Sequence, residues 1–143
     1  MLTPFKRRTE NQPNDAEKMA WLRLSRAENV GPVTFFRLLE GYGSAERALN
    51  ALPELAKRGG RKKPLVAPPL AAVEREYEEL KKRGGEIITA TEEHYPPALA
   101  AIDDAPPVIS ILGNIELMNR PSVGIVGARN ASLNGRKLAE KIA

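Results

Sequence analysis

The sequence predicts an α/β protein in two parts: an all-helical domain over residues 14–68, then the beginning of a mainly parallel sheet over residues 69–143. Two observations support this division. Short apolar stripes at helical spacing, punctuated by glycine and proline, fill the first part. In the second part, continuous apolar segments alternate with helical patterns, which is typical of parallel strands that are buried on both faces. Residues 1–13 are polar, contain two prolines and predict a flexible tail.

The composition argues against several classes of protein. The 143 residues contain no cysteine and a single histidine, His94, so a disulfide framework, a cysteine nucleophile and a multi-histidine zinc site are excluded. No apolar run approaches the ~20 residues of a membrane helix, and the N-terminus lacks a signal peptide. We therefore expect a cytoplasmic protein that uses no metal or cofactor and does not bind membranes.

The net charge of +4 conceals a basic, acidic, basic pattern along the chain. Residues 1–68 carry a net charge of +6, residues 69–119 carry −6, and residues 120–143 carry +4. A polyanion would be drawn to the two ends. Aromatic residues make up only 5% of the chain, too few for an extended base-stacking platform.

The first helix begins at Asn14, a good N-cap, with Glu17 placed to complete a capping box. Trp21 lies at the edge of the apolar stripe of this helix, so we expect its side chain to be an anchor of the core. A second helix runs through Leu39, a third covers residues 45–51, and Pro53 begins a fourth that ends near residue 59.

The turn Asn29-Val30-Gly31-Pro32 between the first two helices resembles the turn of a helix-hairpin-helix unit, which can direct backbone N–H groups at a phosphate. It has one glycine where the usual form has two. The residues support two functions of this domain equally: binding of a phosphate by the turn, and contacts to other proteins alone. The basic run over residues 57–63 favours a solvated linker over a nucleic-acid patch.

The second part predicts a helix over residues 70–83 and strands over 86–90, 108–112 and 122–126. A short helix begins within residues 95–99, residues 103–107 form a loop, residues 115–117 form a helical turn, and a last helix follows Gly135. Three strands and an unfinished helix would leave open sheet edges, so we expect this chain to be the first part of a longer domain, truncated at residue 143.

The segment from Gly127 to Gly135 has the form of a phosphate-binding turn between a strand and a helix. Against the dinucleotide fingerprint G-x-G-x-x-G, Gly127 takes the first position, Arg129 the second and Ser132 the third. Arg129 fills the space of a pyrophosphate and adds a permanent cation, so the turn suits a single phosphate better than a dinucleotide. In an alternative interpretation, Arg129 pairs with a carboxylate and only holds two elements together.

These residues resemble the DNA-processing protein A family (DprA, also called Smf). The resemblance covers most of the chain after residue 15, and its most specific element is Gly127-x-Arg129-x-x-Ser132-x-x-Gly135. Ala128 and Asn134 depart from the serine and tyrosine that are common in the family. The wider motif is Tyr95-Pro96, Leu99, Ile102, Asp104, Pro106-Pro107, Leu112-Gly113 and Val123-Gly124-Ile125-Val126.

The resemblance implies a small helical domain like a sterile-alpha-motif (SAM) domain, followed by an extended Rossmann-like sheet. It also implies a non-enzymatic protein of natural transformation and recombination (competence), which binds and protects single-stranded DNA and helps to load the RecA recombinase. Homodimerisation is expected through regions beyond residue 143. The DNA phosphates would be bound by Gly127, Ala128, Arg129, Ser132, Asn134 and Gly135.

Two other functions remain open. The same turn could hold the phosphate of a nucleoside monophosphate in a Rossmann-type enzyme that resembles a phosphoribohydrolase. Alternatively, the helical domain could be a protein-interaction module and the basic stretches incidental.

Overall fold

The computed structural model describes residues 13–58 and 66–143 of the chain, and the side chains of 13–55 and 66–143. The predicted tail lies outside these residues except for Pro13, which is buried. Most of the basic run over residues 57–63 also lies outside them.

Three helices form the N-terminal part: α1 (Asp15–Ser25), α2 (Pro32–Tyr42) and α3 (Ala45–Arg58). The start of α1 confirms the predicted cap, because the Asn14 side-chain oxygen accepts the backbone N–H of Glu17 at 2.9 Å. Helix α2 ends at Gly43, which adopts a left-handed backbone with φ of 78°. This conformation is accessible to glycine at little cost.

The prediction of two short helices before residue 59 was wrong, because α3 runs through Pro53 without a break. A proline inside a helix removes one hydrogen bond and costs ~3 kcal/mol. Here the apolar face of α3 continues across it: Ala48 and Leu52 are buried, Leu55 packs against the core, and Pro53 itself is exposed. Burial of that face offsets the lost hydrogen bond.

The turn between α1 and α2 contains a left-handed residue that is not a glycine. Asn29 has a φ of 62° and is the one non-glycine residue with a positive φ in the described part of the chain. Asparagine tolerates this left-handed region better than most residues with a side chain. Gly31 then precedes α2, and Pro32 begins it.

We expect Asn29→Gly to be more stable than Asn29→Ala by about 1 kcal/mol, because the Cβ of alanine is strained in a left-handed backbone and glycine has no Cβ. The comparison between the two variants isolates the backbone, since both lack the asparagine side chain. Urea unfolding followed by the fluorescence of Trp21 measures both free energies. Equal stability of the two variants would show that the backbone conformation at this position carries no cost.

The C-terminal part contains α4 (Leu70–Lys82), β1 (Gly85–Thr89), α5 (Pro97–Ala100), β2 (Val108–Leu112), a 3₁₀ helix (Ile115–Asn119) and α6 (Leu133–Ile142). Between residues 70 and 119, the order of helices, strands and loops agrees with the prediction. Each boundary is shifted by a few residues at most.

The prediction of a parallel sheet was wrong for the two strands that form. β1 and β2 pair antiparallel, with Gly85 opposite Leu112 and Thr89 opposite Val108. A parallel pair needs a crossover long enough to return along the strand, and this is usually a helix. The only helix between β1 and β2 is α5, with four residues, so the chain reverses direction and pairs antiparallel.

The predicted third strand over residues 122–126 is not formed in the described part of the chain. Val123 and Val126 are 87% and 96% exposed, and the segment pairs with no described strand. Its apolar sequence suits a strand covered on both faces. Without neighbouring strands to pair with, such a sequence gains nothing from an extended hydrogen-bonded conformation.

The main hydrophobic core joins both parts of the chain. Trp21 and Phe35 are buried, with ring centroids 5.0 Å apart, which confirms Trp21 as a core anchor. Val73 and Tyr77 of α4 and Ile87 of β1 belong to the same cluster. This core therefore contains side chains from both sides of the boundary predicted at residues 68 and 69, and that boundary stays a prediction.

Polar contacts at the start of α1 also attach it to α4. The Tyr77 hydroxyl donates to one Asp15 carboxylate oxygen at 3.0 Å, and the Lys81 ammonium lies 3.4 Å from the other. The hydrogen bond from Tyr77, together with Lys81, lowers the pKa of Asp15 below its ordinary value. Asp15 is largely exposed, so these contacts orient α4 more than they stabilise it.

A second, smaller cluster lies under the loop between the strands. Tyr95 packs there with Ile88 and Ile111, and its hydroxyl donates to the Pro106 carbonyl oxygen at 2.6 Å. Burial raises the pKa of Tyr95. His94, the preceding residue in the chain, is exposed. In the two described stretches, no helix combines the length and apolar character needed to cross a membrane.

Candidate phosphate-binding turn

The turn predicted to bind phosphate lies on the surface, immediately before α6. Residues 121–130 are exposed, and Arg129 and Asn130 form a turn. Ser132 then caps the helix: its hydroxyl oxygen accepts the N–H of Gly135 at 3.2 Å, and its carbonyl oxygen accepts the N–H of Arg136 at 3.0 Å. The serine fixes the direction in which α6 begins.

Two backbone N–H groups in the first turn of α6 remain available. Those of Leu133 and Asn134 have no acceptor within residues 13–58 and 66–143. Such N–H groups point away from the helix along its axis, where the helix dipole also favours negative charge. The start of α6 thus offers two exposed hydrogen-bond donors to an anion.

Arg129 supplies a cation at the same turn. It is exposed, and its guanidinium makes no hydrogen bond or ion pair with any described residue. The described contacts therefore give no support to the alternative in which Arg129 pairs with an internal carboxylate. An unpaired guanidinium has five N–H donors in a planar fork that matches phosphate oxygens.

The two glycines of the turn have different surroundings. A Cβ added at Gly135 would lie 3.4 Å from the Ser132 hydroxyl oxygen, whereas one added at Gly127 would meet nothing within 4 Å. Neither glycine has a left-handed backbone. Gly135 therefore lies in ordinary contact with the capping hydroxyl, and at Gly127 the missing side chain leaves open space.

The remaining predicted site residues, Ala128 and Asn134, are also exposed. The structure thus places all six predicted positions in one short surface segment. It brings Ser132 and Gly135 into direct contact through the cap. Further basic side chains lie exposed on α6, at Arg136, Lys137 and Lys141.

A buried polar network connects α1 to the end of β1, and the sequence analysis missed it. The Lys18 ammonium lies 2.7 Å from one Glu92 carboxylate oxygen and donates to the Ile87 carbonyl oxygen at 3.0 Å. The other oxygen of Glu92 accepts the N–H of Thr89 at 2.7 Å and its hydroxyl at 3.1 Å. Nothing in the local sequence pairs Lys18 with Glu92, because the contact depends on how α1 packs on the strands.

Comparison with known families finds a match in each part of the chain. Residues 15–78 match the family model described as DprA-like N-terminal HHH domain. Residues 86–143 match the model described as DNA recombination-mediator protein A. The two matches are consecutive and leave out only residues 1–14 and 79–85.

The chain belongs to the DNA-processing protein A (DprA/Smf) family, which confirms the resemblance. A curated relative, Protein Smf of Synechocystis sp., is 28% identical over 138 residues. The alignment covers 90% of this chain and 35% of that relative. The chain therefore spans about a third of the length of the relative it matches.

Proposed function

We propose that this chain is the DNA-contacting first part of a non-enzymatic, cytoplasmic single-stranded-DNA-binding protein of recombination and transformation. The observation that carries the proposal is that the Arg129 guanidinium and two N–H groups at the start of α6 lie in one short surface segment and have no partner among residues 13–58 and 66–143. Membership of a DNA-processing family makes a nucleic acid the expected source of the phosphate. The division into domains over residues 14–68 and 69–143, the latter Rossmann-like, belongs to the same proposal.

The chemistry of the turn favours contacts to the DNA backbone over contacts to the bases. Its donors are a guanidinium and backbone amides, which match phosphate oxygens and carry no information about sequence. No aromatic residue occurs between residues 96 and 143, so base stacking has no platform there. Binding should therefore be nearly independent of sequence and should weaken as salt rises.

Five of the six predicted residues have a distinct part in the proposed contact. Arg129 pairs with a phosphate through its fork, while Ser132 orients α6 so that the N–H groups of Leu133 and Asn134 face the strand. The open space at Gly127 lets the DNA backbone approach. Ala128 offers only its backbone at a position where the family commonly has a hydroxyl, so we expect one fewer phosphate contact there.

The proposal includes partners that act beyond this segment. Protected single-stranded DNA is the substrate of a RecA-type recombinase, and we propose that the protein helps to load this recombinase. A homodimer would form through parts of the protein beyond residue 143.

We expect Arg129→Ala to weaken binding of oligo-dT about tenfold, because a charge-assisted hydrogen bond contributes ~1.5–3 kcal/mol and part of it is recovered by neighbouring cations. Fluorescence anisotropy with labelled oligo-dT measures the affinity in the longest form of the protein that contains this chain. Arg37→Ala is the matched control, since Arg37 is an exposed arginine on α2 and not one of the predicted phosphate-binding residues.

Equal affinity of the Arg129→Ala variant and the unchanged protein would remove Arg129 from the site. Equal losses in the Arg129 and Arg37 variants would show that only net charge matters. Turnover of a nucleoside monophosphate by the unchanged protein would instead support the enzymatic alternative.

A further inference from the structure

A groove of about 780 Å³ lies between α1, α3 and the start of α4. Its floor includes Met19 of α1, Leu49 of α3 and Leu70 of α4. Met19 and Leu49 are half-buried, and Leu70 is 45% exposed. The floor is therefore apolar surface, contributed by three helices, that another molecule could cover.

Acidic side chains share the lining of the groove with these apolar ones. Glu17, Glu46 and Glu74 line the groove and are exposed. None of their carboxylates has a hydrogen bond or ion pair with a described residue. Asp15 also lines the groove, but its carboxylate is already engaged by Tyr77 and Lys81.

Arg23 is the one cation among the described residues that line the groove, where four carboxylates and one guanidinium leave a net negative charge. Arg23 uses its Nε–H to donate to the Pro68 carbonyl oxygen at 3.0 Å. Glu17 and Glu46 lie in the first turns of α1 and α3, where the helix dipole accounts for an acidic residue. Glu74 lies beyond the first turn of α4, so the dipole does not account for its position.

We propose that this groove binds a cationic amphipathic peptide segment of a protein partner. Lysine or arginine side chains of the segment would pair with Glu17, Glu46 and Glu74, and its apolar side chains would cover Leu49 and Leu70. The negative charge of these carboxylates favours a cationic ligand, because phosphates and acidic peptides would be repelled. The groove thus takes a ligand of opposite charge from the one proposed for the turn before α6.

The test uses a short fluorescein-labelled peptide in which leucines recur at helical spacing among lysines. Fluorescence anisotropy should show saturable binding to the protein. The Glu17→Gln/Glu46→Gln/Glu74→Gln variant should bind about tenfold more weakly, since exposed ion pairs are individually weak and three are removed together. A Leu70→Ser variant, with every charge retained, should also bind more weakly. Circular dichroism verifies that each variant is folded.

The matched control is Glu40→Gln/Glu78→Gln/Glu93→Gln, which removes the same charge from exposed positions outside the groove. It should bind the peptide as the unchanged protein does. An equal loss in the control, or no saturable binding, would overturn the proposal. Binding that appears only after removal of residues 1–12 would also overturn it, because the chain's own basic segment would then compete for the groove.

Discussion

Replacing Trp21 by alanine should lower the free energy of unfolding by about 3–5 kcal/mol, the range for truncating a buried large aromatic side chain. Trp21 is only 2% exposed, and its ring packs against both Phe35 and Phe36. Its cluster also includes side chains of α4 and β1, so the cavity would weaken packing in both parts of the chain. Trp21 is the chain's only tryptophan, so urea unfolding of this variant is followed by circular dichroism.

Trp21→Phe is the control that separates ring packing from the indole N–H group. That N–H is buried and has no hydrogen-bond partner in the described structure. An unsatisfied buried donor costs ~1–3 kcal/mol, so its removal offsets part of the packing lost with the smaller ring. We expect Trp21→Phe to cost no more than about 1 kcal/mol. A cost equal to that of alanine would mean that the indole N–H is satisfied after all.

Glu92→Ala should destabilise the protein by about 3–5 kcal/mol, the cost of leaving the other member of a buried ion pair without its partner. The side chains of Lys18 and Glu92 are only 17% and 6% exposed. The substitution also removes the acceptor for the Thr89 N–H, which is itself buried. Urea unfolding measures the loss, and Glu93→Ala, at the exposed neighbouring position, should change stability by less than about 0.5 kcal/mol.

A double-mutant cycle with Lys18→Met tests whether the two charges act as a pair. Lys18→Met should cost less in the Glu92→Ala protein than in the unchanged one, because the buried ammonium has already lost its carboxylate. Additive losses would contradict the proposed link between α1 and the end of β1.

Local features of the fold were predictable because they depend on neighbouring residues. The Asn14 cap follows from an asparagine placed before an apolar stripe, and the burial of Trp21 follows from its position on that stripe. The 3₁₀ helix after β2 likewise begins at an asparagine cap, Asn114.

Features that depend on distant residues were not predictable in this way. In the sequence, Pro53 predicts the start of a helix. The burial of Ala48 and Leu52 against other elements explains why α3 instead continues through it. The antiparallel pairing of β1 and β2 depends on how the whole connection between them folds back on itself, and its one helix, α5, has only four residues. The pairing of Lys18 with Glu92 has no local signal at all.

The candidate turn falls between these two cases. Its residues and the cap at Ser132 follow from the local pattern of glycine, arginine and serine. The predicted strand that would lead into the turn depends on partner strands, and residues 122–126 have none among the described residues. The chemistry of the turn could therefore be predicted from the sequence more fully than its place in a sheet.

The salt dependence of oligo-dT binding tests most directly whether Arg129 contacts a DNA phosphate. Each phosphate contact on a single strand contributes about −0.7 to the slope of the logarithm of the binding constant against the logarithm of salt concentration. We predict that Arg129→Ala reduces the steepness of this slope by about that amount, while Arg37→Ala leaves it unchanged. Identical slopes for Arg129→Ala and the unchanged protein would contradict a phosphate contact at this guanidinium.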